Sequence, residues 1–109
     1  MQRALDGLEQ LKARAENAAV AGNREYNNGW HTAIDLHHML TVSEIITRAA
    51  LERKESRGAH FRDDYPGKSD EFGKVNIVVR KGWAGVPDVT REPIRAMPEE
   101  LKAIIQEMS

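Results

Sequence analysis

Residues 30–57, WHTAIDLHHMLTVSEIITRAALERKESR, contain neither proline nor glycine. Their apolar positions fall into three sets: Ala33, Leu36 and Leu40; Ile34, Ile45 and Leu51; and Met39, Val42, Ile46, Ala49 and Ala50. Steps of three and four residues predict a helix. At 1.5 Å per residue it would be about 40 Å long. Its apolar surface is too wide for one neighbour, since an ordinary surface helix shows a single stripe. The fold therefore turns on what covers this helix, and from how many directions.

Upstream, Leu5, Leu8, Leu11, Ala15, Ala18 and Ala19 keep the same period, with Lys12, Arg14 and Glu16 between them. This predicts an amphipathic helix over residues 2–21, stopped by Gly22, which takes a left-handed cap at little cost. No Ser, Thr, Asp or Asn cap precedes Leu5, so the helix reads as one that enters from a longer chain. Asn27, Asn28 and Gly29 form a turn in which either Asn can cap the long helix. The two helices predict an antiparallel hairpin. The first covers only one side of the second, so a partner is missing: another helix, another domain or another copy.

The 109 residues suit one domain. We expect residues 1–58 to form the helical hairpin and residues 59–109 the remainder of the same domain. Acidic and basic residues nearly cancel, 17 against 16, which argues against a nucleic-acid partner. There are no cysteines, which excludes disulfides, thiolate catalysis and cysteine-ligated metals. No apolar run approaches the length of a membrane span, and the first residues lack the apolar core of a signal peptide. The chain reads as soluble and cytoplasmic.

After Gly58 the composition turns polar. Val75, Ile77 and Val79 alternate with Asn76, Val78 and Arg80 in a strand over 74–81. Residues 88–95 return as its antiparallel partner, confined to an edge or ended by Pro93. Pro98, Glu99 and Glu100 open a short helix to about Met108, with proline at the first turn and acids at the positive end of the dipole. The expected class is mainly α: a helical hairpin with a small C-terminal β-hairpin and a short terminal helix.

Residues 55–66, ESRGAHFRDDYP, hold the inventory of an active site. As a triad, Ser56, His60 and Asp63 or Asp64 lack the strained glycine-flanked turn that a nucleophilic serine needs. His31 and His38 share a helical face while His37 points elsewhere, and the i, i+4 histidine pair of zinc helices is absent. We assign no catalytic, cofactor-binding or metal-binding residue. The reading that remains is a helix stop, with Arg57 in the last turn and Gly58 as its cap, followed by an extended strap. In the strap Arg57, His60, Arg62, Asp64 and Tyr65 are the candidate docking residues against another domain. Trp30, at a helix start, reads as a packing anchor. Trp83, between Gly82 and Ala84 in a predicted loop, reads as an exposed contact residue.

The stretch ESRGAHFRDDYP resembles the signature near the end of the flavoprotein subunit of succinate dehydrogenase and fumarate reductase. Upstream, NREYNNGWHTAIDLHHMLTVSEIITRAALERKESRGAH is similar to the last helix of that subunit's helical domain, with Asn28 where the family has proline. Downstream, KVNIVVRKGWAGVPDVTREPIRAMPEEL resembles the family's tail. The resemblance covers about residues 5–108. It implies that the chain is what remains of a three-helix up-and-down bundle without its first helix. It implies a parent that carries FAD on a separate domain, interconverts succinate and fumarate, works with an iron–sulfur subunit and lies on the inner face of the cytoplasmic membrane without inserting. It also implies that the chain alone binds no FAD, is inactive and associates with itself through the face of Leu36, Met39, Leu40 and Ile46. The competing readings are the equivalent domain of an L-aspartate oxidase and a free-standing helical interaction module.

Overall fold

The long helix forms, and it is covered on two sides. A computed structural model describes residues 1–109. It contains α1 (Gln2–Glu16), α2 (Asn28–Glu52), β1 (Val75–Lys81), β2 (Pro87–Pro93) and α3 (Glu99–Met108). The molecule is mainly α, with a C-terminal β-hairpin and a short final helix.

α1 runs antiparallel to α2. Leu5 lines a cleft with Arg48 and Leu51 near the end of α2. Lys12 pairs with Glu44 in its middle. Leu11 and Ala15 meet Leu36 and Leu40 nearer its start. At the start of α2, Asn27 accepts a hydrogen bond from Trp30 N (3.2 Å). It thereby satisfies one of the N–H groups that every helix start leaves free. Trp30 is half-buried, with the His31 ring 5.1 Å away edge-on and the Arg24 guanidinium 5.7 Å above it.

Both helices end earlier than their periodicity predicts. α1 stops at Glu16 instead of residue 21. The Asn17 side chain donates to Ala13 O (3.2 Å), a competition with the backbone that asparagine readily wins at helix ends. Residues 18–21 are then used to cross back to α2, where Val20 rests against Gly29; a Cβ on Gly29 would lie 3.1 Å from Val20 Cγ1. Gly22 does take the left-handed φ of 95°, but within this loop.

α2 stops at Glu52 instead of about residue 57. Arg53 turns to extended backbone (φ −78°, ψ 100°). Its guanidinium reaches Phe72 O (2.9 Å) and Val75 O (3.1 Å). A tertiary contact thus ends the helix where no local stop signal exists. Arg57 consequently lies outside the last helical turn. Gly58 is left-handed (φ 58°), yet it sits in a tight turn closed by Arg57 N–His60 O (2.8 Å) and His60 N–Arg57 O (3.0 Å).

The strands pair antiparallel from Val75↔Pro93 to Lys81↔Pro87. Pro93 occupies the last position, where its missing N–H costs the ladder least. The hairpin lies on α2, with Thr41 and Ile45 facing Val79, Arg80 and Pro87. Successive helical residues turn by about 100°. Leu36, Leu40 and Glu44 therefore face α1, Thr41 and Ile45 face the hairpin, and Met39, Val42 and Ile46 face neither. Those three are 64%, 53% and 62% exposed. The uncovered face expected from the sequence thus needs correction: Leu36 and Leu40 belong to the α1 side, and Leu40 is buried.

The chain does not close into a globule. Only seven of 109 residues are buried, and just four of them, Leu5, Ala15, Leu40 and Phe72, are apolar. The radius of gyration is 20.0 Å, against about 13 Å for a compact domain of this length. α3 buries none of its residues. No helix is long and apolar enough to cross a membrane.

Candidate docking site

Residues 53–75 fold into a polar knot at the end of α2. Its centre is Glu55, whose side chain has no exposed surface. A buried carboxylate must be paired and hydrogen-bonded to remain charged. Glu55 Oε1 accepts from Arg53 (2.5 Å) and from Arg57 Nε (3.0 Å), and Oε2 accepts from Ser69 N (2.7 Å). The Arg57 hydrogen bond, with those from Ser69 N–H and Arg53, outweighs desolvation and holds the Glu55 pKa down from 4.5 to about 2. One acid therefore ties the exit of α2 to the segment that leads into β1. Gly73 lets the Arg57 guanidinium lie close beside it; a Cβ there would sit 2.7 Å from Arg57 Nη2 and push that side chain aside.

Arg62 caps α2 from the far side of the knot. It is buried. Its Nη1 donates to Ala50 O (3.2 Å), Leu51 O (2.7 Å) and Arg53 O (3.1 Å). These carbonyls lie at the end of the helix, where acceptors lack intrahelical partners and the dipole is negative. Asp64 holds the other edge of the guanidinium through Arg62 Nε–Asp64 Oδ1 (2.9 Å) and Nη2–Oδ2 (2.6 Å). This forked pair lowers the Asp64 pKa and raises that of Arg62, in each case chiefly through the hydrogen bond between them. The Tyr65 ring lies 4.8 Å from the guanidinium, within cation–π range.

The five candidate docking residues thus divide. Arg62, Asp64 and Tyr65 form one cluster. Arg57 pairs with Glu55 and donates to Ser69 O (3.1 Å). His60 Nε2 lies 3.2 Å from Arg53 O, so a protonated Nε2 donates to it. The extended strap predicted for residues 59–66 is instead a compact loop. Its backbone is pinned by Ser56 Oγ, which accepts from Arg62 N (2.8 Å) and donates to Tyr65 O (2.7 Å). Ser56 and His60 each bond main-chain groups, so no serine–histidine dyad forms. No three His, Asp or Glu residues gather in a geometry that could hold a metal.

Glu55, Arg53, Ser69 and Phe72 were not singled out from the sequence. Phe72 is buried, with Arg91 4.5 Å and Arg53 5.8 Å from its ring. The signal available was two arginines, at 53 and 57, each two residues from Glu55. Arginines so close together need a shared acceptor, and Glu55 is the one acid between them.

On the outside, the knot shows Phe61 (68% exposed) and the carboxylate of Asp64. The open α2 face lies beyond it, where Asp35, His38, Met39, Val42 and Ser43 line a shallow groove. The fold lacks the unit that usually holds a dinucleotide. The only sheet is a two-stranded antiparallel hairpin, whereas dinucleotide sites use a parallel βαβ unit with a glycine-rich turn. FAD does not fit these residues.

These features define an accessory helical domain, internally braced at one end and open along one helix. Comparison with known proteins is specific. The fumarate reductase flavoprotein C-terminal family matches residues 1–105, and the chain belongs to that family. The fumarate reductase flavoprotein subunit of Haemophilus influenzae is 32% identical over 96 residues, which are 87% of this chain and 16% of that protein. The succinate dehydrogenase flavoprotein subunit of Coxiella burnetii is 32% identical over 95 residues, 85% of this chain and 16% of that protein. A chain in the apo Sdh1 complex of Mycobacterium smegmatis superposes with a TM-score of 0.84 at 41% identity, over 92% of this chain and 18% of that one. The chain thus spans less than a fifth of the length of these relatives.

Proposed function

We propose that this chain is the non-catalytic C-terminal helical domain of a flavoprotein subunit that interconverts succinate and fumarate. Its role is to pack against the FAD-binding part of the same polypeptide and hold it in shape. FAD belongs to that other part, and an iron–sulfur subunit is the partner of the whole. The parent works in the cytoplasm, peripheral to the inner face of the membrane. Residues 1–58 and 59–109 act as one domain joined by the Glu55 knot.

The observation that carries this reading is the open face of α2. Met39, Val42 and Ile46 are exposed in the middle of a helix whose other two faces are covered. Unpartnered apolar faces mark interaction surfaces, and relatives several times longer supply a large body of chain to cover this one. The segment with Arg57, His60, Arg62, Asp64 and Tyr65 docks as a preformed loop, its internal bonds setting its shape and its outer edge making the contact. Without its cover, the isolated chain associates with itself through the same face.

Mixing the separately produced FAD-binding part with residues 1–109 tests the reading. A one-to-one complex in analytical ultracentrifugation is the expected result, weakened by Met39→Gln with Ile46→Gln. Two species that sediment independently contradict it, as does a yellow, flavin-loaded preparation of the 109-residue chain.

A further inference from the structure

The tip of the β-hairpin breaks a local rule in a way the helical packing does not require. Residues 82–87, GWAGVP, carry no charged side chain, in a chain where charged residues make up 30% of the sequence. They form the exposed end of the hairpin: Trp83 is 94% exposed and Val86 54%. Val86 N bonds Trp83 O (3.1 Å) and Gly82 N bonds Val86 O (2.9 Å). The two central residues of this turn, Ala84 and Gly85, both have positive φ, 54° and 76°. That pattern is a type I′ turn, which ordinarily takes Asn, Asp or Gly at its first central position. Alanine there is disfavoured, and observed strain of this kind clusters where a binding function needs it. Its effect here is visible: no polar side chain interrupts the apolar surface from Trp83 to Val86. The other left-handed non-glycine, Tyr26, has a local cause, since its neighbour Asn27 ties Ala21 O and Asn23 O together (3.0 and 2.8 Å).

The base of the tip is closely packed. A Cβ on Gly82 would lie 2.4 Å from Val86 O, so the two sides of the loop are in contact. An aromatic side chain held out on a preformed loop gives up little freedom on binding, which is how interface anchors gain their strength. A groove lined by Thr41, Ile45, Arg80, Lys81, Gly85 and Pro87 joins the tip to α2.

The geometry points to Trp83 as an interface anchor that inserts into an apolar slot on the FAD-binding part of the same polypeptide. This rests on the proposed packing of α2 against that part. The occupant follows from the length of relative that lies outside this fold, over four-fifths of the chain in the M. smegmatis complex.

Hydroxyl-radical footprinting of the full-length subunit, with oxidation of Trp83 and Met39 read by mass spectrometry, tests it. Severalfold protection of both residues is expected in the subunit purified alone, relative to the same subunit unfolded in urea. Trp83→Phe should retain protection of Met39 and Trp83→Ala should lower it. Met39 protected with Trp83 fully reactive overturns the anchor and leaves the packing of α2 standing. Both fully reactive overturns the packing and the anchor together. Protection of Trp83 that appears only after the iron–sulfur subunit is added, or only with phosphatidylglycerol–phosphatidylethanolamine vesicles, overturns the assigned occupant in favour of that subunit or of lipid.

Discussion

The two ends of α2 present opposite surfaces. At its C-terminal end, residues 53–75 are dense in charge and look like a surface made for a partner, yet Glu55 and Arg62 are buried and satisfied from within. Along its middle, Met39, Val42 and Ile46 look like core residues, yet they are open. A charged cluster marks an interface only where its hydrogen bonds remain unspent. An apolar stripe marks a core only where the chain supplies something to cover it. In this molecule the polar region is braced from within, leaving only its outer edge to meet a partner, while the apolar stripe is left open along its length.

That contrast can be broken by substitution. Glu55→Leu should have the largest effect, because it leaves Arg53 and Arg57 facing each other without their shared acid. The hairpin should detach from α2, seen as fast amide exchange in residues 75–93 and a large fall in melting temperature. Next is Arg62→Ala, which removes the donor shared by Ala50 O, Leu51 O and Arg53 O and should cost about 3 kcal/mol in denaturant unfolding. Arg62→Lys should recover only part, since an ammonium cannot hold Asp64 in a forked pair while capping the helix. A cost below about 0.5 kcal/mol, the level of an ordinary surface substitution, would mean that the knot is not a brace.

Acid sharpens the same point. The Glu55 pKa is depressed in the folded state, so its contribution is complete above the ordinary value of 4.5 and is lost as pH falls toward about 2. Asp64 shifts in the same direction. Stability should therefore fall with pH over that window, and Glu55→Gln should flatten the dependence. An unchanged slope in the variant would place the acid sensitivity elsewhere.

The smallest expected effect lies on the open face. Met39→Gln with Ile46→Gln should change the stability of the free chain by less than about 0.5 kcal/mol, as for exposed sites generally. Leu40→Ala, one position from Met39 but facing α1, should cost about 2–3 kcal/mol.

Much of this was legible in the sequence. Alternation over Val75, Ile77 and Val79, with Pro93 as its limit, placed the hairpin, and the breadth of the apolar surface over residues 33–51 called for cover from more than one side, of which α1 and the β-hairpin supply two. The end of α2 was not legible, because Leu51-Glu52-Arg53-Lys54 is as good a helix as what precedes it; the stop is a contact between Arg53 and carbonyls about twenty residues away. Gly58 gave a true conformational signal that belongs to a turn and not to a cap. Periodicity also could not say which of Leu36, Met39, Leu40 and Ile46 would face α1, because that depends on where the short helix settles. Nor could it separate the docking residues from the bracing ones, since Arg57, His60 and Arg62 have the same chemistry in either role.

On the proposed packing, the open face of α2 is covered by the rest of the subunit. Peroxide oxidation of Met39, followed by mass spectrometry in the dilute 109-residue chain and in the full-length subunit, tests it most directly. Rapid oxidation is expected in the short chain, where Met39 is 64% exposed, and protection in the full-length subunit. Equal rates in the two would contradict it.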